Sequence, residues 1–240
     1  MRSAPGTRII VVWLAVIALA VAACGGSSGG AVPSKLSDVE AQARLERLVL
    51  QPADVGPGYT RDAAEFQTND QLARARPDTD QARRQYTDWG QLLQLNVQIA
   101  APAGADLVYT AKIARVVNTA AIFQTSDGAD SALAFTRDLS ASVVANFLLT
   151  ESGGSSLTDT QVVKDTDFPT KGDASFAWRI TGKLTMANGF TVTLIAETIF
   201  VRAGRTVGNV TVVGLGEAPA ADLVTALVDT FVTRVKATDP

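Results

Sequence analysis

Residues 174–213 read ASFAWRITGKLTMANGFTVTLIAETIFVRAGRTVGNVTVV, and they determine the class of fold. Phe176, Trp178 and Ile180 alternate with Ser175, Arg179 and Thr181. That period of two puts successive side chains on opposite faces of a strand. Ala187-Asn188-Gly189 supplies a hairpin turn, because Asn-Gly accepts the positive φ values of tight turns that match strand twist. Phe190, Val192, Leu194, Ala196 and Phe200 then share one face of a second strand. Ala203-Gly204-Arg205 turns the chain again, and Val207 to Val213 makes a third strand. Turns this short join only antiparallel strands.

Outward from this meander, helices alternate with strands. Downstream, Pro219 stands near the first turn of a final helix, where its missing N–H is tolerated. Leu223, Leu227, Phe231 and Val235 line that helix's apolar side. Upstream, Ser126 or Asp127 caps a helix expected to run to about Leu149, with Ala132, Leu133, Thr136, Leu139, Val143 and Phe147 as its stripe. Glu151 to Ser156, ESGGSS, reads as a flexible joint. Leu93, Leu95, Val97 and Ile99 alternate with Gln94, Asn96 and Gln98, a clear strand ended by Ala101-Pro102-Ala103-Gly104. Leu107 to Gln124 reads as one long strand or two. Ser37-x-x-Glu40 has capping-box form and opens a first helix with Ala41, Leu45, Leu48 and Val49 on one face. Gln51-Pro52 stops it, and Pro52 to Tyr59, with two prolines and two glycines, reads as a rigid turn. Asn69 to Gln85, split by Pro77, reads as short surface helices or a loop. Antiparallel hairpins with helices in separate blocks predict an α+β fold. We expect a twisted, mostly antiparallel sheet with helices packed against it, in a single domain.

Composition removes whole classes of chemistry. The 240 residues contain no histidine, and Cys24 is the sole cysteine. Ser-His-Asp and Cys-His catalysis, His-ligated zinc, two-cysteine metal sites and intrachain disulfides are therefore impossible within one chain. Lys plus Arg number 21 and Asp plus Glu 24, so no basic excess exists to draw nucleic acid.

The N-terminus reads as an address. Arg2 and Arg8 precede Ile9 to Ala23, fifteen apolar residues, where a membrane-spanning helix needs about 20. Val21-Ala22-Ala23-Cys24 resembles the lipobox of bacterial lipoproteins: an aliphatic residue, two small ones, then the cysteine. The resemblance implies that residues 1–23 are a signal peptide removed by cleavage and that the Cys24 thiol carries a diacylglyceryl group. Two acyl chains hold a protein at a membrane where one gives only marginal binding. Cleavage would leave 19 basic residues against 24 acidic ones, a charge of −5, so lipid and not a basic patch is the expected anchor. Residues 24–36, beginning with the GGSSGG of Gly25 to Gly30, read as a flexible tether, and 37–240 as the extracytoplasmic domain. The expected place is the cell membrane, on its extracytoplasmic face.

Possible constellations are thin. Glu197 stands mid-strand among apolar residues, but no second carboxylate faces it in the sequence, and a place on the wetter sheet face or pairing with Arg179 across strands is its expected state. Asp165, Asp167 and Asp173 form a D-x-D-x5-D run. A calcium loop needs a third ligand and then glycine where Phe168-Pro169 stands, so a polar loop is read instead. Gly214-Leu215-Gly216 lacks the third glycine of a dinucleotide site, Pro219 taking its place. Arg74, Arg76, Arg83 and Arg84 are interleaved with Asp70, Asp78 and Asp80 and read as a solvated face. Trp178, Arg179 and Arg115 are the candidates for lining an apolar cleft between sheet and helices. No catalytic residue, metal ligand or cofactor is assigned.

Three groups of residues give the remaining chain a further resemblance: Leu50-x-Pro52-x-Asp54-Val55-x-x-Gly58-Tyr59, Lys171-Gly172-Asp173, and Ser126-Asp127-Gly128-Ala129. They are similar to features of secreted lipoproteins and extracytoplasmic kinase-sensor domains of high-GC bacteria. The resemblance implies an α+β domain without catalysis that meets a ligand or partner outside the cell. Many kinase sensors carry disulfides, for which this chain has no cysteine. The first expectation is a lipid-anchored binding or sensing module, its partner a small molecule, a lipid or an envelope protein. The alternatives are an interaction subunit of a cell-envelope complex and a carboxylate-dependent, glycosidase-like hydrolase.

Overall fold

The computed structural model describes residues 36–102, 113–139, 156–185 and 189–238. The signal peptide, Cys24, most of the tether, Ala103-Gly104, Leu107 to Lys112, Val143, Phe147, the ESGGS of the second joint and Ala187-Asn188 of the hairpin turn lie outside the described residues. In chain order the elements are α1 (Asp38–Leu48), α2 (Pro52–Val55), β1 (Thr60–Gln67), α3 (Asn69–Arg74), α4 (Thr79–Asp88), β2 (Gln91–Ala100) and β3 (Arg115–Phe123). Then follow α5 (Ser126–Arg137), β4 (Ser156–Asp165), β5 (Ala174–Thr185), β6 (Thr191–Ala203), β7 (Thr206–Leu215) and α6 (Ala221–Thr238). The seven strands form one sheet in the order β1-β2-β3-β7-β6-β5-β4, and every neighbouring pair is antiparallel. The fold is α+β, and the meander of residues 174–213 is its β5–β6–β7 half.

The first face of the sheet carries the main core. Leu93, Leu95, Val97 and Ile99 of β2 join Val116, Ala120 and Ile122 of β3, Val210 and Val212 of β7, and Ile199 and Val201 of β6. Helices α1 and α6 cover them with Leu45, Leu48, Leu227, Val228 and Phe231. Ser37 caps α1 with both bonds of the capping box, satisfying two amides that a helix start leaves orphaned. Asn118 is fully buried in this core and makes two long-range bonds. Its Oδ1 accepts from the Leu50 N–H at 2.8 Å, and its Nδ2 donates to the Asn209 carbonyl at 2.9 Å. Arg234 of α6 donates to the Val49 carbonyl and, bidentately, to Asp54 at 2.7 and 2.8 Å. These bonds tie the chain after α1 to both the sheet and α6.

Helix α5 packs on the second face, where Ala129 and Ala132 meet Ala121, Phe123 and Val207. Its Gly128 lies so close to the Trp89 carbonyl that a Cβ would overlap it. The sheet edges, β1 and β4, are guarded. Asp62, Glu65, Asp159 and Lys164 are exposed there, and each edge carries a register irregularity that interrupts its hydrogen-bonding row.

Several expectations are corrected. Pro52 to Val55 is a single helical turn with Pro at its first position, because proline's fixed φ suits a helix start. β1 was not foreseen, since TRDAAEFQ is mostly exposed and lacks an apolar alternation. Helix α5 is capped by Thr125, whose side chain accepts from the Gly128 N–H, and it ends at Arg137 instead of near Leu149. Leu36, read as the end of the tether, is buried in the main core. Arg76 is buried, with its Nε 3.1 Å from Asp78, so not all of the Arg-rich stretch is solvated. Phe190 precedes β6 and is 43% exposed.

Candidate functional site

On the second face, strand pleating and register line up two rows across the sheet. One runs Gln98, Val117, Thr211, Thr198, Trp178 and the other Asn96, Thr119, Asn209, Phe200, Phe176, from β2 through β3, β7 and β6 to β5. At about 4.8 Å per strand each row spans roughly 19 Å. Along both, the chemistry changes from amides and hydroxyls to aromatic rings. Phe176 and Phe200 stack with centroids 4.8 Å apart, and Trp178 sets its edge against Phe200 at 5.4 Å. Leu139, Val162, Leu194 and Val213 pack around this aromatic end.

The polar end is buried as thoroughly as a core. Asn96 is 4% exposed, Gln98 3% and Thr119 6%. Most of its groups are satisfied. Thr198 and Thr211 share a hydroxyl bond at 3.0 Å, Asn209 Nδ2 donates to Thr211 Oγ1 at 3.1 Å, and Arg115 Nη1 donates to Gln98 Oε1 at 3.1 Å. Asn96 and Thr119 are the exception. They are cross-strand partners, and among the described residues neither atom of the Asn96 amide nor the Thr119 hydroxyl has a hydrogen-bond partner. A buried polar group left unmatched costs about 1–3 kcal/mol, so such groups call for a reason.

The residues nominated from sequence divide between the faces. Trp178 and Arg115 belong to the second face, Trp178 in its aromatic wall and Arg115 at the end of β3, 3.6 Å from Asp62. Arg179 stands on the first face. It donates to Glu197 Oε1 through Nε at 3.3 Å and Nη2 at 3.0 Å, and to Asp165 through Nη2 at 3.2 Å. The three candidates therefore do not share one cleft. Glu197 has the cross-strand Arg179 partner expected of it.

Asp165 also accepts from the Asp167 N–H, while Asp173 accepts from Arg202 and from the Gly204 N–H. Among the described residues no group of three acidic side chains could hold a metal ion. An open recess of about 280 Å³ beside β4 is lined by Val163, Lys164, Asp165, Thr166, Asp167 and Arg179. Gly214 and Gly216 shape a turn: a Cβ on Gly214 would strike the Glu217 carbonyl, and Gly216 has φ 80°.

Two tyrosine hydroxyls are shifted from their ordinary value. Burial pushes the Tyr86 hydroxyl above its ordinary value, against the opposing pull of Arg76. Burial raises Tyr59 as well, and its hydroxyl donates to the Ile113 carbonyl at 2.6 Å. Sequence reasoning passed over Asn96 and Thr119. A signal was present: the residues alternating with β2's apolar set are Gln94, Asn96 and Gln98, all uncharged amides, whereas a solvated strand face ordinarily recruits charges.

No protein-family model matches the chain. No curated protein matches it. Among solved structures it is similar to the extracellular domain of PknH from Mycobacterium tuberculosis, at 14% identity and a TM-score of 0.48, over 82% of this chain and 97% of that one. Among the described residues no helix is long and apolar enough to cross a membrane.

Proposed function

We propose that this chain is a lipid-anchored extracytoplasmic binding or sensing module without catalytic activity. Residues 1–23 are its signal peptide, Cys24 bears the lipid, and the second face of the sheet meets the ligand. The observation that carries the binding reading is the unmatched pair Asn96 and Thr119, buried side by side in the middle of a sheet. A ligand that entered between the sheet and the layer over this pair would complete their bonds and offset that cost. Anchoring rests on the lipobox and on the tether that follows it. The non-catalytic reading is supported by the ion pair that holds Glu197, the best carboxylate candidate, against Arg179.

Native mass spectrometry of the full chain in nanodiscs tests the proposal. The expected result is a chain lacking residues 1–23, carrying a diacylglyceryl mass lost in Cys24→Ser, with a further non-covalent mass that leaves on denaturation. A lipidated chain with no bound mass, unaltered after contact with an envelope extract, would overturn the binding reading and favour a subunit that docks on another protein. A chain without lipid would overturn the anchor.

A further inference from the structure

We infer that the ligand carries a neutral, polyhydroxylated head, of the kind a saccharide presents, and an apolar portion that rests toward Phe176 and Phe200. The inference rests on the binding reading above and names its chemistry. The Asn96 amide offers one acceptor and two donors, and the Thr119 hydroxyl can do either. Phosphate and carboxylate present only acceptors and would leave Asn96 Oδ1 unmatched. An ammonium presents only donors and would leave the amide N–H groups unmatched. Adjacent hydroxyl groups present both and complete the pair.

Charge points the same way. The two rows from β2 to β5 contain no ionisable side chain. Ionisable neighbours on this face stand at the margins. Glu65 lies on the exposed edge strand beside Asn96, Lys164 is exposed on the opposite edge, Arg115 is engaged by Gln98 and Asp62, and Arg202, near the β6–β7 turn, is held by Asp130 and Asp173. Burying a charged ligand over such a floor would leave it without a counter-charge, which costs far more than burying a hydrogen-bonded hydroxyl. The aromatic end of both rows supplies the other half of the match. Ring faces and edges pack against the C–H surface of a sugar or against an acyl or prenyl chain, and Phe176 and Phe200 are both only partly buried.

The shared chemistry fits a free saccharide or the headgroup of a glycolipid, and one experiment separates them. Full-length protein in phosphatidylcholine nanodiscs, with the fluorophore on the scaffold protein, is applied to an array. The array bears neutral mono- to tetrasaccharides, the same sugars as glycolipids, and their phosphorylated and uronic-acid counterparts. The expected result is at least tenfold preference for neutral over acidic sugars, lost at least tenfold in Asn96→Leu and in Thr119→Val, each shown folded by circular dichroism. Binding to free and lipid-linked sugars alike assigns a saccharide; binding to the lipid-linked set alone assigns a glycolipid. Preference for acidic sugars, absence of binding, or binding unchanged in both variants overturns the neutral-head inference. The binding reading itself stands or falls separately, on the non-covalent mass carried by the wild-type chain.

Discussion

Asn96 and Asn118 stand on neighbouring strands, on opposite faces, 4% and 0% exposed, and the same substitution in each is expected to have opposite sign. Leucine has the heavy-atom count and branching of asparagine, so neither change opens a cavity. Asn118→Leu strips partners from the Leu50 N–H and the Asn209 carbonyl, both buried. Each unmatched group costs about 1–3 kcal/mol, partly offset by about 1–2 kcal/mol from burying an apolar side chain. The net loss is about 2–4 kcal/mol. Asn96→Leu takes no bond from any group and removes an amide that already lacks partners. It is expected to add about 1–2 kcal/mol while abolishing binding, the trade between stability and function typical of binding sites. At roughly 2–4 °C per kcal/mol for a domain of this size, Tm falls by about 4–16 °C in Asn118→Leu and rises by about 2–8 °C in Asn96→Leu. Thermal unfolding of the full chain followed by circular dichroism measures both. A comparable fall in the two variants would refute the reasoning, because it would mean that Asn96 is satisfied in the free protein, by ordered water for example, and needs no ligand.

Asp54→Asn is expected to destabilise by about 2 kcal/mol, since it removes the charge from a part-buried bidentate bond with Arg234. A double-mutant cycle with Arg234→Met in urea should return a coupling above about 1 kcal/mol, and zero coupling would show the pair to be incidental. Gly128→Ala would ordinarily stabilise a helix by about 1 kcal/mol. Here the Cβ would overlap the Trp89 carbonyl, so chemical denaturation should show a loss of about 2–4 kcal/mol, and a gain would refute the close packing of α5. Absorbance near 295 nm should show Tyr86 ionising above its ordinary value. Unfolded chains release that proton first. The contribution is therefore full below pH 10 and is lost as pH rises through the folded value, so Tyr86→Phe should flatten the alkaline decline in Tm.

The fold was legible where apolar periodicity was strong and opaque where it was weak. β2, β5, β6, β7, α1 and α6 announce themselves because one face of each is packed and the other is not. β1 has no such contrast: it is an edge strand held by backbone bonds to β2, with most side chains in solvent, so its sequence records little beyond edge protection. The candidate site was legible in part. Trp178 and Arg115 share the second face, while parity along β5 puts Arg179 on the first. What sequence could not supply was that the Gln94, Asn96, Gln98 face of β2 is buried, because whether another layer covers a strand face is decided by chain far away in sequence.

Seven of the residues behind the resemblance to secreted lipoproteins and kinase sensors hold the scaffold together. Asp54 receives Arg234, Leu50 donates to Asn118, and Tyr59 bonds to the Ile113 carbonyl. Lys171 pairs with Asp229 of α6 at 2.6 Å, while Asp173 fastens the β6–β7 turn through the Gly204 N–H at 2.8 Å. Gly172 adopts φ 65° and lets the backbone pass Arg202 at a distance no side chain would permit. Gly128 lets α5 seat on Trp89. Such positions are constrained by geometry, because few residues can make the same bond or fit the same gap. Asn96 and Thr119 are constrained by neither: a β-sheet accepts many polar residues at those positions without changing register or packing elsewhere. A chain of this architecture could therefore change its ligand by exchanging side chains along the two second-face rows while every clamp remained in place. The ligand proposed above has therefore to be argued from the rows and not from the clamps.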